Sequence, residues 1–158
     1  DYPDREAFDA ALSAALDTLN PDVVVRAGFM RVLGDAFVRR YRGRLINIHP
    51  SLLPRHPGLH THRRVLEAGD AEHGATVHFV TEQLDGGPAV IQGRLSVRTE
   101  DTADILSERV MTHIEVRIFP QAIAWMARGS LRLEDGRVML AGSRLDAPLQ
   151  LADLEPGF

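Results

Sequence analysis

Two short apolar runs, VVVRAGF at 23–29 and RLINIH at 44–49, follow one helical stripe and are separated by a second, and no other feature constrains the fold as much. The first stripe is Ala7, Phe8, Ala11, Leu12, Ala15, Leu16 and Leu19, with steps of three and four that predict a helix over 5–19. Asn20-Pro21 ends it. VVVRAGF has no polar alternation, as expected of a parallel strand covered on both faces. Residues 35–41 read as a short helix before the second strand. The order α-β-α-β with brief connections predicts an α/β fold with a mostly parallel sheet flanked by helices.

Further along, Pro50, Pro54, Pro57 and Gly58 forbid regular structure across an unusually long loop. A helix over 61–68 with Thr61 as its N-cap follows. ATVHFVT at 75–81 predicts a strand whose Thr76 and His78 face is the wetter one. LDGGP at 84–88 is a tight turn, and AVIQGRLSV at 89–97 is the next strand. Ile105, Leu106, Val110, Ile114 and Ile118 mark a helix over 102–118, with a second starting at Pro120. Asp135-Gly136 between apolar runs is a hairpin signal, and the last residues read as an irregular tail.

With 158 residues, 44% apolar and 25% charged, the chain is expected to be a single domain over 1–158. Its 18 basic residues are scattered among 22 acids, with a net charge of −4, so no basic stripe for a nucleic acid is present. The absence of cysteine excludes disulfides, thiolate nucleophiles and cysteine-bound zinc. No apolar run reaches membrane-spanning length and the start resembles no signal peptide, so the expected location is cytoplasmic, with small-molecule partners and a monomer or homodimer.

Chemistry concentrates in RLINIHPSLLPRHPGLHTH. Six of the seven histidines lie between 49 and 78. For His56, His60, His62 and His73 the plain reading is a polar surface loop that tolerates them. The sharper alternative is a metal site from His60-x-His62 with Asp85, but no third ligand stands at a recognisable spacing, and no metal is expected. Asn47 and His49 differ because they lie two apart at the carboxyl end of a strand, pointing to one face where open α/β sheets bind ligands. A carboxamide donor beside an imidazole suits a reaction in which an oxyanion forms while a proton moves, as in acyl transfer. Asp85 in the Gly-rich turn would stabilise the charged imidazole.

In this order and spacing NIHPSLLP, PGLHTH, VHFV and LDGGP, together with PDVVVRAGFMRVL and RIFPQAI, make the chain similar to the formyltetrahydrofolate-dependent formyltransferases over nearly its whole length. The resemblance implies a Rossmann-like formyltransferase fold and transfer of a formyl group from 10-formyltetrahydrofolate, as co-substrate, to the amine of glycinamide ribonucleotide in purine biosynthesis. It implies Asn47 as oxyanion donor, His49 as proton donor and Asp85 as its charged partner. Folate would be held by Arg5, Met30, Arg31, Val32, Leu33, Asn47, Thr81, Glu82, Gln83, Leu84 and Asp85, and the nucleotide by Met30 and Glu115. Without the resemblance, Met30, Val32 and Leu33 read as core residues and Arg5 as a solvated charge.

Two departures bear on these expectations. One extra residue falls between Gln92 and Glu115, and inside a helix it would rotate Glu115 by about 100°. Moreover, the family's front βα portion with its phosphate loop is expected to be missing, which would weaken folate binding and nucleotide turnover. The alternatives are a folate-binding domain without activity and a formyltetrahydrofolate hydrolase. The methionyl-tRNA formyltransferases fit less well, since they place Arg-Gly where this chain has Pro57-Gly58.

Overall fold

The structure, a computed structural model, describes residues 2–29 and 31–158. The central sheet has the order β1-β2-β3-β4, from Val24–Arg26, Leu45–His49, Glu72–Phe79 and Ala89–Ser96. The Rossmann-like α/β layering holds, but the sheet is mixed rather than mostly parallel: β1 and β2 are parallel, whereas β2–β3 and β3–β4 are antiparallel. The turn at 80–88 is too short for a crossover, so β4 can only return antiparallel beside β3.

The two faces of the sheet differ in chemistry because strand residues alternate. On one face Ile46, Ile48, Val77, Phe79 and Ile91 meet across the strands and pack under helices. On the other, Leu45, Asn47 and His49 follow one another along β2. Helices α1 (Arg5–Leu19) and α2 (Asp35–Arg40) cover the Leu45 end through Phe8, Leu12, Phe37, Val38 and Tyr41, leaving Asn47 and His49 beyond them. Helix α1 is less buried than its stripe predicts. Leu19 is 75% exposed, and the buried residue is Asp9, which accepts a hydrogen bond of 2.6 Å from Gly34 N. Val25 is 45% exposed, contrary to a strand covered on both faces, because the helices over that face pack on β3 and β4.

Helix α3 (Thr61–Ala68) is entered from His60 in the left-handed region, at φ 58°, so His60 and not Thr61 is the cap and Thr61 is buried in the first turn. The long helical stretch over 103–127 runs without a break at Pro120: α4 (Ala103–Val110), a π-helical turn (Met111–Glu115) and α5 (Val116–Ala127) are continuous. Among its buried residues, Leu106, Val110, Ile114, Ile118 and Ala122 recur every fourth position. In a straight α-helix these four steps would drift by about 160°, and a π turn holding one more residue takes up about 100° of it. An extra residue in such a turn would not rotate the rest of the stripe. Pro120, which lacks an N–H, lies inside α5 without ending the helix.

Ile114 in that turn reaches β4 at Gly93, where an added Cβ would lie 2.3 Å from Ile114 Cγ2. Gly93→Ala is therefore expected to destabilise the chain by roughly 1–3 kcal/mol through overpacking, read as a lower denaturation midpoint. The remaining strands β5 (Leu131–Glu134), β6 (Arg137–Leu140) and β7 (Ser143–Arg144) form a small second sheet. Asp135 and Gly136 make its hairpin turn with φ of 48° and 74°. The tail is only partly irregular, since Leu149 bridges Ile91 of β4.

Candidate active site

Strand register places the site. Asn47 lies opposite His78, and His49 lies opposite Thr76, which in turn lies opposite Gln92. The expected wetter face of β3 is therefore not solvated: Thr76 and His78 are buried, and the polar side chains of three strands satisfy one another. A bulge between Val77 and His78 ends the regular β3–β4 pairing beside the cluster.

Each polar group has a definable role. His78 Nδ1–H donates to Phe79 O at 3.0 Å, which leaves Nε2 to accept from Asn47 Nδ2 at 3.2 Å. Burial lowers the pKa of His78, consistent with this neutral tautomer. Asn47 is thus oriented through one N–H and keeps the other for a ligand. His49 Nε2–H donates to His56 O at 3.0 Å, while Nδ1 lies 3.5 Å from Asp85 Oδ2. Asp85 sits in the left-handed region, at φ 50°, in a turn closed by Gly86 N to Gln83 O at 3.0 Å. Its carboxylate accepts from Gly58 N at 2.8 Å and stands 3.8 Å from His78 Nε2. The three side chains proposed from the sequence therefore converge: a carboxamide donor, an imidazole and a carboxylate share one buried edge.

The other expected residues divide. Arg5, Arg31 and Val32 line a cavity of about 310 Å³ with Phe8. Val32 is thus no core residue, whereas Leu33 is buried beside Phe37, Val38 and Val80. Arg26, which sequence reasoning passes over, fixes the turn before them by donating to Phe29 O and Arg31 O, both at 3.2 Å. Met30 lies outside the described residues. Thr81, Glu82, Gln83 and Leu84 form the edge that carries Asp85, with Glu82 held 3.8 Å from Arg39. Glu115 belongs to the helical layer on the other face and does not join the cluster among the described contacts; burial raises its pKa.

The histidines read as a tolerant surface loop are largely bonded. His56 Nε2 lies 2.7 Å from Asp70 Oδ2, and Arg55 pairs with the same carboxylate. His73 is on β3, buried, with its Nε2 2.9 Å from His62 Nδ1, so His62 faces His73 rather than pairing with His60. Among the described residues no three His, Asp or Glu side chains group as a metal site. Burial, with a smaller contribution from His62, lowers the His73 pKa to about 4. The native imidazole stays neutral down to that pH, whereas the unfolded one takes up its proton near 6.5. The unfolded state therefore binds more protons between these values, and stability falls as the pH drops through that window. His73→Asn should flatten this part of the stability–pH curve, a contribution of at most about 3 kcal/mol.

Comparison with known proteins places the chain in a family. The formyl transferase family model matches residues 1–123. The chain is 51% identical over 152 residues to phosphoribosylglycinamide formyltransferase of Escherichia coli, covering 96% of this chain and 71% of that protein. With the Haemophilus influenzae protein of the same name it shares 43% over 138 residues, 87% of this chain and 65% of the other. The solved phosphoribosylglycinamide formyltransferase of Coxiella burnetii superposes with a TM-score of 0.85 at 45% identity, over 94% of this chain and 70% of that one. On these matches the chain belongs to the formyl transferase family.

Proposed function

We propose that the chain transfers the formyl group of 10-formyltetrahydrofolate to the amine of glycinamide ribonucleotide, a one-carbon transfer of purine biosynthesis. The observation that carries this reading is the convergence of Asn47, His49 and Asp85 at the carboxyl end of β2. The amine lone pair attacks the formyl carbon and the carbonyl electrons move onto its oxygen. Asn47, held by His78, donates its remaining N–H to that oxyanion. As the tetrahedral centre collapses, the bond from carbon to the folate nitrogen breaks and His49 supplies that nitrogen with a proton. That leaves His49 as the neutral imidazole, and the proton lost by the attacking amine returns it to the imidazolium, which faces the Asp85 carboxylate at 3.5 Å.

The cavity beside Arg5, Phe8, Arg31 and Val32 suits the folate: two guanidinium groups match the carboxylates of its glutamate tail, and Phe8 and Val32 offer apolar contact. Met30, Leu33 and the 81–85 edge complete the folate-binding set of the proposal, and Met30 and Glu115 the nucleotide-binding set.

With the formyl carbon isotopically labelled, a single turnover should place the label on the nucleotide. Release of labelled formate at the same rate with and without nucleotide would make water the acceptor and the chain a hydrolase.

A further inference from the structure

We propose that Gln92 is a positioning residue for the formyl-transfer site: from β4 it clamps the start of the Pro-rich loop and so delivers the His56 carbonyl and the Gly58 amide to His49 and Asp85. His49, Thr76 and Gln92 stand in one row across β2, β3 and β4. Gln92 is at the far end of that row and buried. Its Nε2 donates to Leu53 O at 2.7 Å and to Thr76 Oγ1 at 3.0 Å. The Thr76 hydroxyl donates to Ser51 O at 2.7 Å and also accepts from Leu53 N at 3.1 Å.

The donor and acceptor count closes. Both amide hydrogens of Gln92 are used, and the threonine spends its one hydrogen and both lone pairs. Only a two-hydrogen donor fits at position 92, because a carboxylate there would face the Leu53 carbonyl and a hydroxyl whose hydrogen is already committed to Ser51.

Three residues beyond the clamp the loop reaches the chemistry. His56 O accepts from His49 Nε2 at 3.0 Å and Gly58 N donates to Asp85 Oδ2 at 2.8 Å. Two of the three proposed catalytic side chains are thus oriented by loop backbone. The direction in which that backbone leaves the sheet is set where Gln92 and Thr76 grip residues 51 and 53. The consequence for turnover rests on the function proposed above, but the clamp does not.

The test compares wild type with Gln92→Met, an apolar side chain of similar length, and Gln92→Glu, which keeps the shape and loses the donor. Hydrogen exchange of the Leu53 and Gly58 amides should accelerate at least about tenfold in both variants while β2 and β3 stay protected, and the His49 ring N–H resonance should be lost. The single-turnover rate should fall by about 10- to 100-fold, with KM for the formyl donor within about threefold of wild type. Unchanged loop exchange would overturn the clamp, and faster exchange with an unchanged transfer rate would overturn the positioning role. A wild type that is protected in the loop yet transfers no formyl group would instead contradict the proposed function and leave the clamp standing. Should Gln92→Met fail to fold, Gln92→Asn, whose amide is withdrawn by one methylene, is read against the same outcomes.

Discussion

Asn47→Ala should lower the formyl-transfer rate by on the order of 10²- to 10³-fold while the sheet remains folded. The side chain is proposed to hydrogen-bond the formyl oxygen and to do so more strongly as charge develops on it, so most of the loss falls on the transfer step rather than on donor binding. A second consequence follows from its bond to His78. Truncation leaves the buried His78 Nε2 without its 3.2 Å donor, and an unsatisfied buried acceptor costs about 1–3 kcal/mol. The variant should therefore unfold at lower denaturant than wild type, with cooperativity intact because Ile46 and Ile48 keep β2 in the core. Stopped-flow transfer and a denaturation curve on the same sample separate the two effects. A rate within tenfold of wild type would remove Asn47 from the proposed chemistry.

His49→Ala should be at least as damaging, with a loss of about 10²- to 10⁴-fold, the range for a positioned acid or base. The imidazole lies between two anchors, the His56 carbonyl at 3.0 Å and the Asp85 carboxylate at 3.5 Å. Removing it takes away the proton carrier but leaves Asp85 bonded to Gly58, so the loop should keep much of its order. Added imidazole is expected to restore part of the rate, which a purely structural histidine would not allow. Loss of folding without any such rescue would reassign His49 to support of the loop.

In the sequence the proposed trio rests on two local rules and on the family resemblance together. Residues two apart on a strand share a face, which brought Asn47 and His49 together, and LDGGP had to be a tight turn able to present Asp85. Gln92 was not legible, since one polar residue in an apolar strand gains meaning only from register with Thr76 and His49 across two other strands. Burial of Thr76 and His78 was missed for the same reason: alternation reveals a polar face but not whether a folded loop closes over it. The helical stretch over 103–127 shows a third limit. Its stripe reads as an ordinary helix that ends before Pro120, and the π turn that keeps Ile114 against Gly93 is seen only in the folded chain. Finally, Val32 reads as core by composition, whereas the cavity it shares with Arg5, Phe8 and Arg31 depends on how α1 meets the turn after β1.

The most direct test is an infrared difference spectrum of a formyl donor carrying a labelled carbonyl, bound to wild type and to Asn47→Ala. A carbonyl polarised by the Asn47 amide at the end of β2 should absorb at lower frequency on wild type than in water, and that shift should disappear in the variant. An identical carbonyl frequency on the two proteins, with donor bound to both, would contradict the account.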